Sequence, residues 1–273
     1  MKALNTYINE KLVLNKNTFK KYAYFPKSKN ELKEIINNLI EERKDQNIIN
    51  LNDIDTSEIT DMSKLFFSKF NTPNTLISID ISEWDVSNVT NMVEMFTYCR
   101  YLVSTGDLSL WHTDKLENMY KMFYACWNLK DIGDIGSWDV SKIASFHNMF
   151  TDCHRLKTPG DLSHWDVHST TTMGGMFMDC HALETVGDLS HWDVSNLYYA
   201  SFMFHNCKNL KSVGDISSWN TRYLNTTSHM FCGCSNLTSV GDLSKWRNDN
   251  LEDTSRMFYE TSIKRKYYPK KMK

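Results

Sequence analysis

The sequence predicts an α/β repeat solenoid, a stack of 27-residue coils that each carry a short strand and a short helix. Three observations predict it. Tryptophan falls at Trp84, Trp111, Trp138, Trp165, Trp192, Trp219 and Trp246, in steps of 27, with only Trp127 out of register. Cysteine falls at Cys99, Cys126, Cys153, Cys180, Cys207 and Cys234, again in steps of 27, with only Cys232 extra. A Met-Phe pair (Met95-Phe96 to Met257-Phe258) and a Gly-Asp pair (Gly106-Asp107 to Gly241-Asp242) keep the same period. Self-similarity at a fixed period is the signature of a repeat architecture.

The constancy of the period has a physical reason. In stacked coils each buried side chain rests on its counterpart in the next coil, so one inserted residue would break every column. An imperfect coil precedes the regular ones: Ile59, Met62, Leu65 and Phe66 lie 30 residues ahead of the next coil, and 71–74 reads as an inserted loop. Within a coil, Val89, Met92, Phe96 and Cys99 are spaced as an amphipathic helix stripe. Ser87 suits its N-cap, and Asp114, Ser141, Ser195 and Asp249 occupy that place in other coils. Residues 102–108 read as extended, and strands of successive coils should pair in parallel roughly 4.8 Å apart. Trp and Phe columns should form the core. Burying ~150–250 Å² per Trp at about 25 cal/mol per Å² gives roughly 4–6 kcal/mol each before entropy.

Three segments follow. Residues 1–50 form an N-terminal segment and helical cap, 51–262 a solenoid of about eight coils, and 263–273 a basic tail. Ser28 and Glu31 make a capping box, and Leu32, Ile35, Ile36, Leu39 and Ile40 a helical stripe over 28–45 that covers the open end of the stack. Residues 1–20 carry a weaker apolar pattern that reads as part of the cap or as a loose tail.

Composition bounds the function. The chain is 41% apolar and 23% charged, a globular balance. Its net charge of −2 gives no overall attraction to nucleic acid or anionic lipid. No run of apolar residues reaches a membrane-spanning length. The N-terminal MKALNTYINEKLVLNKN does not read as an export signal, because Asn5, Asn9, Glu10 and Lys11 interrupt it. The expected compartment is therefore the cytoplasm, or a virion if the chain is phage-encoded. The seven cysteines read as thiols.

The unit Trp-Asp-Val-Ser-Asn-Val-Thr-Asn-Met-x-x-Met-Phe at 84–96 resembles the BspA-type leucine-rich repeat family, DUF285, over residues 50–262. Its Trp-Asp-Val-Ser start is kept at Trp84, Trp138 and Trp192 and drifts at Trp111, Trp219 and Trp246. The resemblance implies leucine-rich-repeat-like coils, protein binding and no catalysis. It also implies a bacterial surface or bacteriophage setting.

The candidate sites lie in columns. Asp80, Asp107, Asp134, Asp161, Asp188, Asp215 and Asp242 form one column. Either they hold a cation edge or they cap backbone amides before each Trp; the second needs no ion and is preferred. The Cys column follows the apolar stripe and reads as buried structural thiol. Of the nine histidines, His154 with His181 and His164 with His191 form aligned pairs, read as exposed residues of a binding face. No nucleophile elbow, phosphate loop or zinc-protease motif is present, so no catalytic residue, metal or cofactor is expected.

The rows that vary while the core columns do not are the expected partner face: Arg100, Trp127, His154, His181, Lys208 and Ser235; then Leu110, Ser137, His164, His191, Ser218 and Lys245; then Val103, Lys130, Lys157, Glu184, Lys211 and Thr238. Trp127 reads equally as a hot spot or as a lone surface aromatic. The tail cations (Lys264, Arg265, Lys266, Lys270, Lys271, Lys273) read as a solvated end, with nucleic acid or an acidic partner as the other reading. The expected function is a protein-binding module inside a bacterial or phage-infected cell. The alternatives are a structural part of a virion or surface assembly and a surface adhesin.

Overall fold

The computed structural model describes residues 22–73, 75–247 and 249–270. Helix α1 (Lys29–Glu42) comes first, then strands β1 (Ile48–Asn50), β2 (Ile77–Asp80) and β3 (Leu102–Ser104). The strands pair in parallel in the order β1-β2-β3, with Ile49 beside Ile79 and Ile77 beside Leu102. Further along, the ladder thins to single bridges such as Ser104 to Asp131 and Thr185 to Ser212. A second line of parallel bridges joins Ser145, Thr172, Tyr199, Thr226 and Asp253. The molecule is thus the repeat solenoid that the spacing predicts.

The helix expected over 87–99 is not there: this segment is a run of tight turns. Alternate amides reach the next coil, Met92 N to Asn118 O at 2.8 Å, Glu94 N to Tyr120 O at 2.9 Å and Phe96 N to Met122 O at 2.8 Å. The amides between them close turns within the coil, Met95 N to Met92 O at 3.2 Å and Cys99 N to Phe96 O at 3.0 Å. An α-helix would keep all these bonds to itself. The turns instead split them between coil and neighbour, so backbone pairing joins successive coils here as well as at the strands. The geometry needs left-handed backbone twice per coil, as at Asn148 (φ 56) and Asp152 (φ 62). Ser87 is not a helix cap either. The Asp85 carboxylate accepts from Ser87 N at 3.0 Å and from Ser87 Oγ at 2.7 Å, closing a side-chain turn. The short helical pieces lie elsewhere, as 3₁₀ turns just before Trp, for example Ile135–Ser137 and Leu162–His164.

The three core columns are continuous ladders. Eight phenylalanines stack face to face, from Phe66–Phe96 at 5.0 Å to Phe231–Phe258 at 5.7 Å between ring centroids. Each indole N–H of the Trp column donates to a carbonyl of the preceding coil, as Trp165 Nε1 does to Ile135 O at 3.0 Å. Each thiol of the Cys column does the same, as Cys153 Sγ does to Phe123 O at 3.2 Å. The polar atoms of these large or soft side chains are therefore satisfied inside an apolar core. Burial pushes the thiols well above their ordinary pKa, Cys234 to about 12.

Both ends carry apolar cover. In α1 the Ser28 hydroxyl accepts from Glu31 N at 3.3 Å, while the Glu31 carboxylate accepts from Lys27 N at 2.7 Å. Leu32, Ile36 and Leu39 are buried, and Arg43 after the helix pairs with Asp53 at 2.6 Å. At the other end the Tyr268 ring lies 4.4 Å from Phe258, and Ile263 is buried. Part of the basic tail thus covers the last ring of the ladder. The apolar pattern of 1–20 and the cations Lys271 and Lys273 lie outside the described residues.

Candidate functional site

The position after each column cysteine points outward, and successive coils place these side chains on one another. The Asn128 amide and its Nδ2 both donate to Arg100 O, at 3.2 and 2.8 Å, which registers one coil on the last. The Arg100 guanidinium lies over the Trp127 ring at 4.4 Å. Trp127 stacks on His154 at 6.2 Å, and His154 on His181 at 4.9 Å with planes 10° apart. Arg100, Trp127, His154 and His181 therefore form one ridge across four coils, with Trp127 37% exposed and Lys208 exposed beyond it. A guanidinium on an indole at an exposed site contributes ~0.5–1 kcal/mol and fixes two otherwise mobile side chains.

Acidic and amide groups hold the histidine end. His154 Nδ1 lies 3.0 Å from Asp179 O; a carbonyl only accepts, so this nitrogen carries the proton. His181 Nε2 lies 3.7 Å from Asp179 Oδ1, and Asn206 Nδ2 donates to that oxygen at 2.7 Å. Burial and the adjoining His154 depress the His181 pKa. Burial and the neighbouring Asp179 carboxylate raise that of Asp152.

The second predicted row is different. His164 and His191 end the 3₁₀ turns Leu162–His164 and Leu189–His191 and are exposed, as is Leu110. Among the described residues no ring contact joins them to each other or to the ridge. In the third row Glu184 bridges two lysines, at 3.6 Å to Lys157 and 2.7 Å to Lys211.

The Asp column caps amides. Asp134 Oδ1 accepts from Gly136 N at 2.8 Å and from Asp161 N, one coil on, at 3.1 Å. Asp161, Asp188 and Asp215 accept likewise from the residue two ahead. The glycine of each Gly-Asp pair is explained by the same carboxylate: Gly133 has φ +75, and a Cβ there would overlap Asp107 Oδ1. Among the described residues no three of His, Cys, Asp and Glu converge as a metal site requires.

Two residues missed by the row-by-row reading are Arg155 and Ala182. With Lys130 and Lys157 they line a surface hollow of about 370 Å³ beside the ridge. The signal lay in the column Tyr101, Asn128, Arg155, Ala182, Asn209, Asn236, where Ala182 is the smallest side chain.

A family profile described as "Mycoplasma protein of unknown function, DUF285" matches residues 33–159, 126–236 and 188–267. The chain belongs to the DUF285 family. A solved leucine-rich repeat protein from Bacteroides ovatus ATCC 8483 is 14% identical to this DUF285 chain. That alignment spans 74% of this chain and 76% of the other, with a TM-score of 0.18. A search of curated proteins gave no match. No helix among the described residues of this DUF285 protein is long and apolar enough to cross a membrane.

Proposed function

We propose that this DUF285 chain is a non-enzymatic protein-binding module, working inside a bacterial or phage-infected cell, and that its partner meets the ridge of Arg100, Trp127, His154, His181 and Lys208. The observation that carries the reading is the continuous stack of Arg100, Trp127, His154 and His181. These rings and the Arg100 guanidinium are stacked on one another before any partner arrives. Little side-chain entropy is then lost on binding, and Trp and Arg are the residues that most often dominate protein interfaces. Catalysis, by contrast, needs unlike groups converging in a pocket, whereas these side chains follow one another along an open ridge. His164 and His191, on the second row, extend the proposed face.

The test is affinity capture from host lysate with wild type and Trp127→Ala. A partner held by wild type and lost by the variant supports the module and its face. Recovery of the chain only in its own ordered assembly would instead support a structural part of a virion or surface layer.

A further inference from the structure

We infer that the hollow beside the ridge takes an acidic segment of a partner protein, with one apolar side chain seated between carboxylates. The inference rests on the protein-binding reading and names the chemistry of the partner.

The hollow spans three successive coils. Lys130 comes from the first, Arg155 and Lys157 from the second, Ala182 from the third, and its walls are chiefly carbon. Its position beside the ridge follows from the backbone: Ala182 N donates to His154 O at 3.2 Å, and Lys130 N to Val103 O at 2.9 Å. Ala182 makes the space, because its column holds Asn128, Asn209 and Asn236 elsewhere. The rim is cationic. Among the described residues Lys130 and Arg155 form no ion pair, while Lys157 shares Glu184 with Lys211, which lies closer to it. Asp131, next to Lys130, is committed to Gly133 N at 3.0 Å. Two unpaired cations and one weakly paired cation on a chain of net charge −2 are a local excess that a carboxylate-bearing partner neutralises. The alkyl stems of Lys and Arg together with Ala182 offer an apolar floor. A nucleic-acid strand fits less well. Glu184, between Lys157 and Lys211, and Asp131, next to Lys130, set carboxylates among these cations that phosphates would meet.

The repeat supplies its own test variants. Arg155→Asn and Ala182→Asn install the residue found at Asn128, Asn209 and Asn236, and Lys130→Thr installs the residue found at Thr238. Each suits its position in the coil. The first and third remove rim charge, and the second fills the hollow. The probe is an array of short peptides in which acidic, basic and aromatic content vary independently, with anisotropy titration of the best binders and of an oligothymidine. The expected result is enrichment of Asp and Glu flanking an aromatic or leucine, and binding about tenfold weaker in each variant at an unchanged melting temperature. Absence of acidic enrichment, binding indifferent to all three substitutions, or tighter binding of oligothymidine would each overturn the inference. If Trp127→Ala still abolishes capture of a lysate partner while the three variants do not, the module stands and the hollow fails. If the chain is recovered only in its own ordered assembly, the module fails and the partner segment with it, whatever the peptides do.

Discussion

A Cβ at Gly133 would overlap Oδ1 of Asp107 in the preceding coil, and that same carboxylate oxygen accepts from Ser109 N at 2.9 Å. Gly133→Ala therefore meets both strained backbone and an occupied space. It should cost more than the ~1 kcal/mol of an ordinary strained glycine replacement. Asp107→Ala should remove the overlap, so the double variant should recover part of the loss. Thermal melts of the three variants check the coupling; independent, additive losses would disprove the contact.

Removal of a cap separates charge from hydrogen bonding. Asp161→Ala should cost ~0.5–2 kcal/mol, the usual loss for a capping residue, and Asp161→Asn much less. Because Oδ1 of Asp161 already accepts from Ser163 N at 3.0 Å, millimolar calcium should leave the melting temperature unchanged. A rise with calcium would mean that the column also serves a cation.

Trp165 loses both area and a bond when truncated, because its Nε1 donates to Ile135 O at 3.0 Å. Trp165→Ala should cost ~3–5 kcal/mol and lower the melting temperature by several degrees. An unchanged transition would show that the Trp column is not core.

The column thiols should resist alkylation in the folded chain, because burial raises their pKa and each donates to a carbonyl of the preceding coil. Iodoacetamide labelling followed by mass spectrometry should mark Cys153 only after denaturation. Rapid labelling of Cys153 in the native protein would contradict its burial.

Acidification should destabilise the fold through three histidines. Burial depresses the pKa of His147, His181 and His205 from the ordinary 6.5. The unfolded chain then binds more protons as pH falls through that value, so stability is held above it and lost towards the depressed folded values. Asp152 acts oppositely: its folded pKa is raised, so its unfavourable contribution is present at neutral pH and is relieved on acidification. Melts between about pH 7.5 and pH 6 should show falling stability, and His181→Asn should flatten the slope. A flat wild-type profile would refute the sign.

The columns were readable because Trp, Phe and Cys repeat at one spacing and every one of them turned out to be buried. Helix α1 was readable because Ser28 and Glu31 carry local capping chemistry that needs no neighbour. The segment 87–99 was misread because apolar steps of three and four fit linked turns as well as a helix. The corrective signal was present. Gly175, Gly233, Asn148, Asp152, Asp179 and Asn206 occupy the two left-handed positions of their coils, which these residue types tolerate best. At the candidate site the sequence marks rows that vary, but not which row stacks. His154 with His181 and His164 with His191 look alike in sequence, and only the first pair lies ring on ring. The first pair follows the column cysteines, whereas the second ends the 3₁₀ turns before Trp, and spacing alone does not separate the two settings.

The indole bonds have a wider consequence. From Trp111 to Trp246 each reaches back the same 30 residues to the same place in the coil before. The joints between coils are thus alike in this bond, and excising one whole 27-residue unit from the middle would still set each indole beyond the cut opposite an equivalent carbonyl in the coil before it. Molecular length is then a number that recombination can change one unit at a time, lengthening or shortening the displayed surface while the indole bond is kept at each joint.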